Sequence, residues 1–172
     1  MSVTSISHGV LLSYANIGVL LAGASGIGKS DSALELIQQG AKLICDDAPS
    51  FNIQNDQIIG SCQNQYTGVM HIRGLGFIHI PSIFGQHSIQ VQSKLNLIIE
   101  LCPKSETPSQ SIAQMPMVEY THFNFHHISI PILTLEKSAD RPMGLLLSTA
   151  IKQFKLRMAN NDPCKKLIQR ES

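Results

Sequence analysis

The sequence predicts an α/β domain with a mixed β-sheet, and three observations carry that prediction. An apolar run at 17–22 enters the octapeptide Gly23-Ala24-Ser25-Gly26-Ile27-Gly28-Lys29-Ser30, and a helical pattern follows from 30 to 39, giving a strand, a glycine loop and a helix in immediate succession. Two hairpin signatures, at 9–22 and 51–59, require antiparallel pairs, so the sheet is mixed. A second long helical pattern at 142–158 supplies further apolar surface to cover it. With 172 residues, 43% hydrophobic and 15% charged, the chain reads as one folded domain over 1–158 and a polar tail over 159–172.

Composition excludes several classes of function. A net charge of +1 gives no electrostatic case for nucleic acid or an anionic membrane. No apolar stretch reaches the length of a membrane span, and the first residues lack a charged leader with an apolar run, so a cytoplasmic location is expected. Cys45, Cys62, Cys102 and Cys164 form no C-x-x-C pair and are expected as thiols.

Taken in order, residues 8–14 and 17–22 read as two strands joined by a tight turn at Ala15-Asn16, which leaves His8 at a strand start. The octapeptide fits G-x-x-x-x-G-K-[ST] without a mismatch. Glycines at 23, 26 and 28 let successive N–H groups point into one concavity, and the helix after them adds the positive end of its dipole, so the loop suits a polyphosphate. Lys29 would meet the outer phosphates, and the Ser30 hydroxyl would be a ligand for Mg²⁺. Ala33, Leu34, Leu36 and Ile37 face inward on the helix, and Gly40 supplies its stop.

The strand at 42–45 ends in Asp46-Asp47. Two adjacent carboxylates at a sheet end need a cation or a reacting hydroxyl nearby, so one suits a metal and the other the proton of a nucleophile. Asn55-Asp56 turns a hairpin, and 62–68 reads as a surface loop. In 69–81, Arg73 precedes Gly74 and Gly76, a sharp turn that presents a planar cation to an anion. Residues 81–87 read as a mobile loop, 94–101 as one core strand and 103–117 as an irregular connection. Alternation from Tyr120 to Ile132 reads as one strand; it turns His127 away from His122 and His126, and no carboxylate or cysteine completes a site, so no metal is assigned. On the last helix, Leu145, Leu146, Ala150 and Phe154 are expected in the core or a subunit interface.

The glycine loop, His8-Gly9-Val10, 43–47 and Ile72-Arg73-Gly74-Leu75-Gly76-Phe77-Ile78 together resemble the catalytic domain of the HPr kinase/phosphorylase family, over about residues 5–157. The resemblance implies a P-loop kinase domain related to the HPr kinase and PEP carboxykinase type, in its short, single-domain form. It further implies that ATP and Mg²⁺ are used to phosphorylate a serine of HPr, a small phosphocarrier of the sugar phosphotransferase system, or of a nitrogen-related counterpart. By position, residues 23–30 bind the nucleotide, Ser30 and Asp46 the metal, and Asp47 is the base. Asp46 assists it, and His8 lies near the phosphates. Family members form rings of six subunits, so an oligomer is implied.

Three positions depart from the family pattern: His71 stands for a metal-binding Glu, Gln114 for a catalytic Arg, and 135–142 for an Arg-Pro-Gly-Arg run tied to the reverse reaction. The reverse, dephosphorylating activity is therefore the least supported. The departures also leave two other readings open: a nucleotide-binding regulatory protein with impaired catalysis, and a P-loop kinase of a different acceptor.

Overall fold

The computed structural model describes residues 8–62, 67–104 and 119–164. Strands β1 (Val10–Tyr14) and β2 (Ile17–Gly23) form a hairpin whose turn residues Ala15 and Asn16 both take positive φ. That conformation matches the twist of the strands it joins. Helix α1 (Lys29–Gln38) ends as Gly40 enters the left-handed region; the N–H groups of Gly40 and Ala41 cap the carbonyls of Ile37 and Leu36. Next come β3 (Lys42–Cys45), a second hairpin of β4 (Ser50–Gln54) and β5 (Gln57–Ser61), and a third of β6 (Val69–Ile72) and β7 (Gly76–His79). After α2 (Ile80–Phe84) come β8 (Gln92–Lys94), β9 (Leu97–Pro103), β10 (Thr121–Phe125), β11 (Ile128–Lys137) and the helix α3 (Met143–Met158).

The main sheet has six strands in the order β10-β11-β9-β2-β1-β3. Its centre, β11-β9-β2, is parallel; β1, β3 and β10 join antiparallel, so the sheet is mixed as expected. Alternation sorts its side chains between two cores. Val19, Leu21, Leu97 and Ile99 pack with Ala33 and Leu36 of α1 and Leu147 and Ile151 of α3. On the opposite face, Leu20, Ala22, Ile98, Ile130 and Ile132 pack with Ile58 and Leu95. Helices thus cover one face only; a three-stranded sheet, β4-β5-β8, packs against the other. The central strands are buried on both sides, so each face needs an apolar partner, and the small sheet supplies the second.

Three expected elements are corrected. The single strand over 94–101 is two: Lys94 ends β8 in the small sheet and β9 begins at Leu97 in the main one. Asn96 makes the crossing by clasping Gly18: its Oδ1 accepts the Gly18 N–H at 3.0 Å, and its own N–H donates to Gly18 O at 2.9 Å. The single strand from Tyr120 to Ile132 is the hairpin β10–β11, turned at His126 with positive φ. Residues 81–87 hold α2 and a 3-10 turn, Gln86–Ser88, with Ile80 and Pro81 buried. Proline in the first turn was the sequence signal for that helix. On α3, Leu147, Ile151 and Phe154 are buried, but Leu145 is exposed rather than in the core. Residues 105–118, most of the expected connection over 103–117, lie outside the described residues, as does Gln114.

A Cβ on Gly18 would lie 1.8 Å from Lys94 O, backbone that cannot swing aside. Gly18→Ala is expected to destabilise the fold by about 2–3 kcal/mol, read as a lowered urea midpoint at unchanged m-value. An unchanged midpoint would show that the crossing at 94–96 is not as tight as described.

Candidate active site at the phosphate loop

Three segments with no contact in sequence meet at the end of β2. The first is the glycine loop. Gly23, Gly26 and Gly28 all take positive φ, which the curl requires. Lys29 folds over the loop, its Nζ donating to Gly23 O at 2.9 Å and Ala24 O at 3.0 Å. The N-terminus of α1 opens beside it, and Gly28 is its N-cap in the left-handed region.

The second segment is the pair after β3. Asp46 Oδ1 accepts the Ser30 hydroxyl at 3.2 Å, and its Oδ2 accepts the His71 backbone N–H at 3.0 Å. Burial pushes the Asp46 carboxyl above its ordinary value; the donors from His71 and Ser30 oppose that, and the charge of Asp47 adds to it. Asp47 itself is exposed and has φ 75°, with its carbonyl held by the Gly9 N–H at 2.9 Å. The third segment is the β6–β7 hairpin, whose Arg73 lies at the turn while His71 packs edge-on against Phe77, ring centroids 5.2 Å apart.

These segments enclose a cleft of about 870 Å³, within the range of small-molecule sites. Of the residues expected from the sequence, Ser25, Gly26, Gly28, Lys29, Ser30, Asp46, Asp47 and Arg73 line it. Gly23 and Ala24 lie behind the lining and hold Lys29 through their carbonyls, while Ile27 packs against the helix-side core. His8 is exposed and is not among the lining residues; the structure brings only its neighbour Gly9 to Asp47. His71 lines the cleft, and its backbone supplies the bond to Asp46 whatever the side chain. Among the described residues no group of three or more His, Cys, Asp or Glu side chains converges as a metal cluster. A metal here would rest on hydroxyl and carboxylate oxygen, completed by phosphate and water, which suits a small hard cation.

The sequence reading missed Phe77, 80% exposed at the rim, and Lys137 at the end of β11. Lys137 Nζ donates to Gly28 O at 3.0 Å and lies 3.5 Å from Ser32 Oγ, fastening the loop to a strand 109 residues away. No local pattern could have found it, because the contact exists only once the parallel strands align. The site lies at the carboxyl end of parallel strands β2 and β11, where open α/β sheets carry their ligands.

Fold and site define a P-loop α/β protein of the kinase type. The chain matches the family described as HPr Serine kinase C-terminal domain over residues 1–171, and it belongs to that family. It is 32% identical over 171 residues to the HPr kinase/phosphorylase of Neisseria meningitidis serogroup C, covering 99% of this chain and 53% of that one. It is 31% identical over 166 residues to the HPr kinase/phosphorylase of Xanthomonas campestris pv. campestris, covering 96% and 52%. The chain thus spans about half the length of these relatives. The structure of the Hpr(Ser) kinase/phosphatase from Coxiella burnetii superposes with a TM-score of 0.83 at 29% identity, covering 93% of this chain and 96% of that one.

Two outcomes follow from this geometry. Because the folded chain holds the Asp46 proton more tightly than the unfolded chain, Asp46 favours folding below its unfolded pKa of about 3.9 and loses that contribution as pH rises through the folded value. In metal-free buffer Asp46→Asn should therefore raise the melting temperature at pH 7, with the difference shrinking toward pH 4; a gain that grows on acidification would contradict the burial cost. Lys137→Met should cost about 1 kcal/mol and speed hydrogen exchange of the amides of residues 26–32. Unaltered exchange there would mean that Lys137 does not hold the loop.

Proposed function

We propose that this chain is an ATP- and Mg²⁺-dependent serine kinase domain whose acceptor is a small phosphocarrier protein of the HPr kind or its nitrogen-related counterpart. The observation that carries this reading is the 3.2 Å approach of Ser30 Oγ to Asp46 Oδ1, which sets a carboxylate pair directly against the phosphate loop. A loop alone needs only to bind phosphates; a carboxylate pair beside it serves transfer. The curated relatives are named HPr kinase/phosphorylase, which supports the acceptor class.

In this reading residues 23–30 cradle the triphosphate, with Lys29 exchanging its loop carbonyls for the outer phosphates. Ser30 Oγ and an Asp46 oxygen would hold Mg²⁺, which when bound neutralises charge on the phosphate oxygens. Asp47, exposed to the cleft, accepts the proton of the acceptor serine, and Arg73 faces the same space with a permanent positive charge. His8 stands outside this set by geometry and is retained on family resemblance only. The phosphorylase direction is taken as weak or absent, because the segment 135–142 lacks the Arg-Pro-Gly-Arg run and engages its lysine with the loop instead.

Incubating the chain with labelled ATP, Mg²⁺ and a purified HPr-like carrier should phosphorylate a serine of the carrier. Asp47→Asn should lower that rate about a hundredfold or more while leaving nucleotide affinity nearly unchanged. Absence of transfer to any such carrier, or full transfer by Asp47→Asn, would sink the proposal.

A further inference from the structure

Outside the phosphate site, one pair of thiol side chains is held face to face. Cys45 Sγ and Cys62 Sγ lie 2.9 Å apart, 17 residues apart in sequence. Each is set by a different sheet: Cys45 is the last residue of β3 at the edge of the main sheet, and Cys62 follows the end of β5 in the small one. Both belong to the core between the sheets, with Ile44 and Ile58 beside them. Cys45 is buried, whereas Cys62 is half-buried and is the more accessible of the two. Cys102 is placed elsewhere, with its thiol against Leu135 O, and Cys164 is exposed.

We propose that Cys45 and Cys62 are a disulfide-forming site, closed by a hydroperoxide acting as a two-electron oxidant. The sulfurs need approach by only roughly 1 Å to reach a bond of about 2.05 Å. The Cys62 sulfur attacks the outer peroxide oxygen; the O–O bond breaks, an alcohol leaves with the proton, and Cys62 becomes a sulfenic acid. The Cys45 sulfur then attacks the Cys62 sulfur, the S–O bond breaks, and hydroxide leaves as water with the Cys45 proton. Two thiols are oxidised to one disulfide and one peroxide is reduced to alcohol and water. The bond joins the two sheets and closes a loop that contains both Asp46 and Asp47, so it is a modification at the base of the carboxylate pair and not a remote surface event.

The test is mild hydroperoxide treatment of the whole chain, followed by intact mass, thiol titration and peptide mapping. The expected result is loss of two hydrogens and two thiols per chain, a Cys45–Cys62 linked peptide, and full reversal by dithiothreitol. A variant with Cys102→Ser and Cys164→Ser should still lose both remaining thiols. Cys62→Ser, at the half-buried position, should form no intramolecular link. Linkage through Cys102 or Cys164 with Cys45 and Cys62 intact, or addition of oxygen at Cys62 without linkage to Cys45, would overturn the proposal.

Discussion

The Asp46 carboxylate is the joint on which the site depends. It is largely removed from water, so its two oxygens need donors, and those donors come from different parts of the fold: the Ser30 hydroxyl on α1 and the His71 N–H on β6. One side chain thereby holds the helix, the edge strand β3 and the β6–β7 hairpin in fixed relation. A neutral group of the same shape could make similar bonds at less desolvation cost, so retention of the charge favours a role in chemistry over one in stability.

Beneath that joint lies a sheet buried on both faces. Its parallel centre carries Gly23 at the end of β2 and Lys137 at the end of β11 to the same edge, while β9 lies between them. The helices hold one face and the small sheet the other, which leaves the strand ends as the place where backbone N–H groups and charged side chains can converge. Membership of the HPr serine kinase C-terminal domain family agrees with this layout, since the family match spans residues 1–171 and so includes the segments that bear the site.

Much of this was legible in the sequence because the decisive signals are local. The octapeptide 23–30 fixes its own conformation through glycines, and the hairpin turns at 15–16 and 55–56 declare themselves by Asn16, Asn55 and Asp56, residues that tolerate positive φ. The hairpin at His126 was missed because no Gly, Asn or Asp marks the turn itself, and its flanks alternate as one strand would. The break at Leu95-Asn96 was hidden for a similar reason: both sides are extended, and only the partner Gly18, 78 residues distant, shows that the chain changes sheets. Cleft residues within or beside a motif were anticipated, except that Phe77, inside the 72–78 run, was given no place in the site, whereas Lys137 enters through strand pairing that no short window contains.

The backbone at Asp47 carries a separate consequence. Its φ of 75° lies where most side chains are strained, and aspartate, asparagine and glycine are the residues that sit there with least penalty. The Gly9 N–H on Asp47 O keeps the chain in that conformation from outside the segment. Under the role proposed for it, position 47 is therefore filtered twice: by conformation, which Asp and Asn both satisfy, and by charge, which Asp alone satisfies. An Asp-to-Asn change there would keep the backbone conformation while removing the ionisable group on which the proposed transfer step rests.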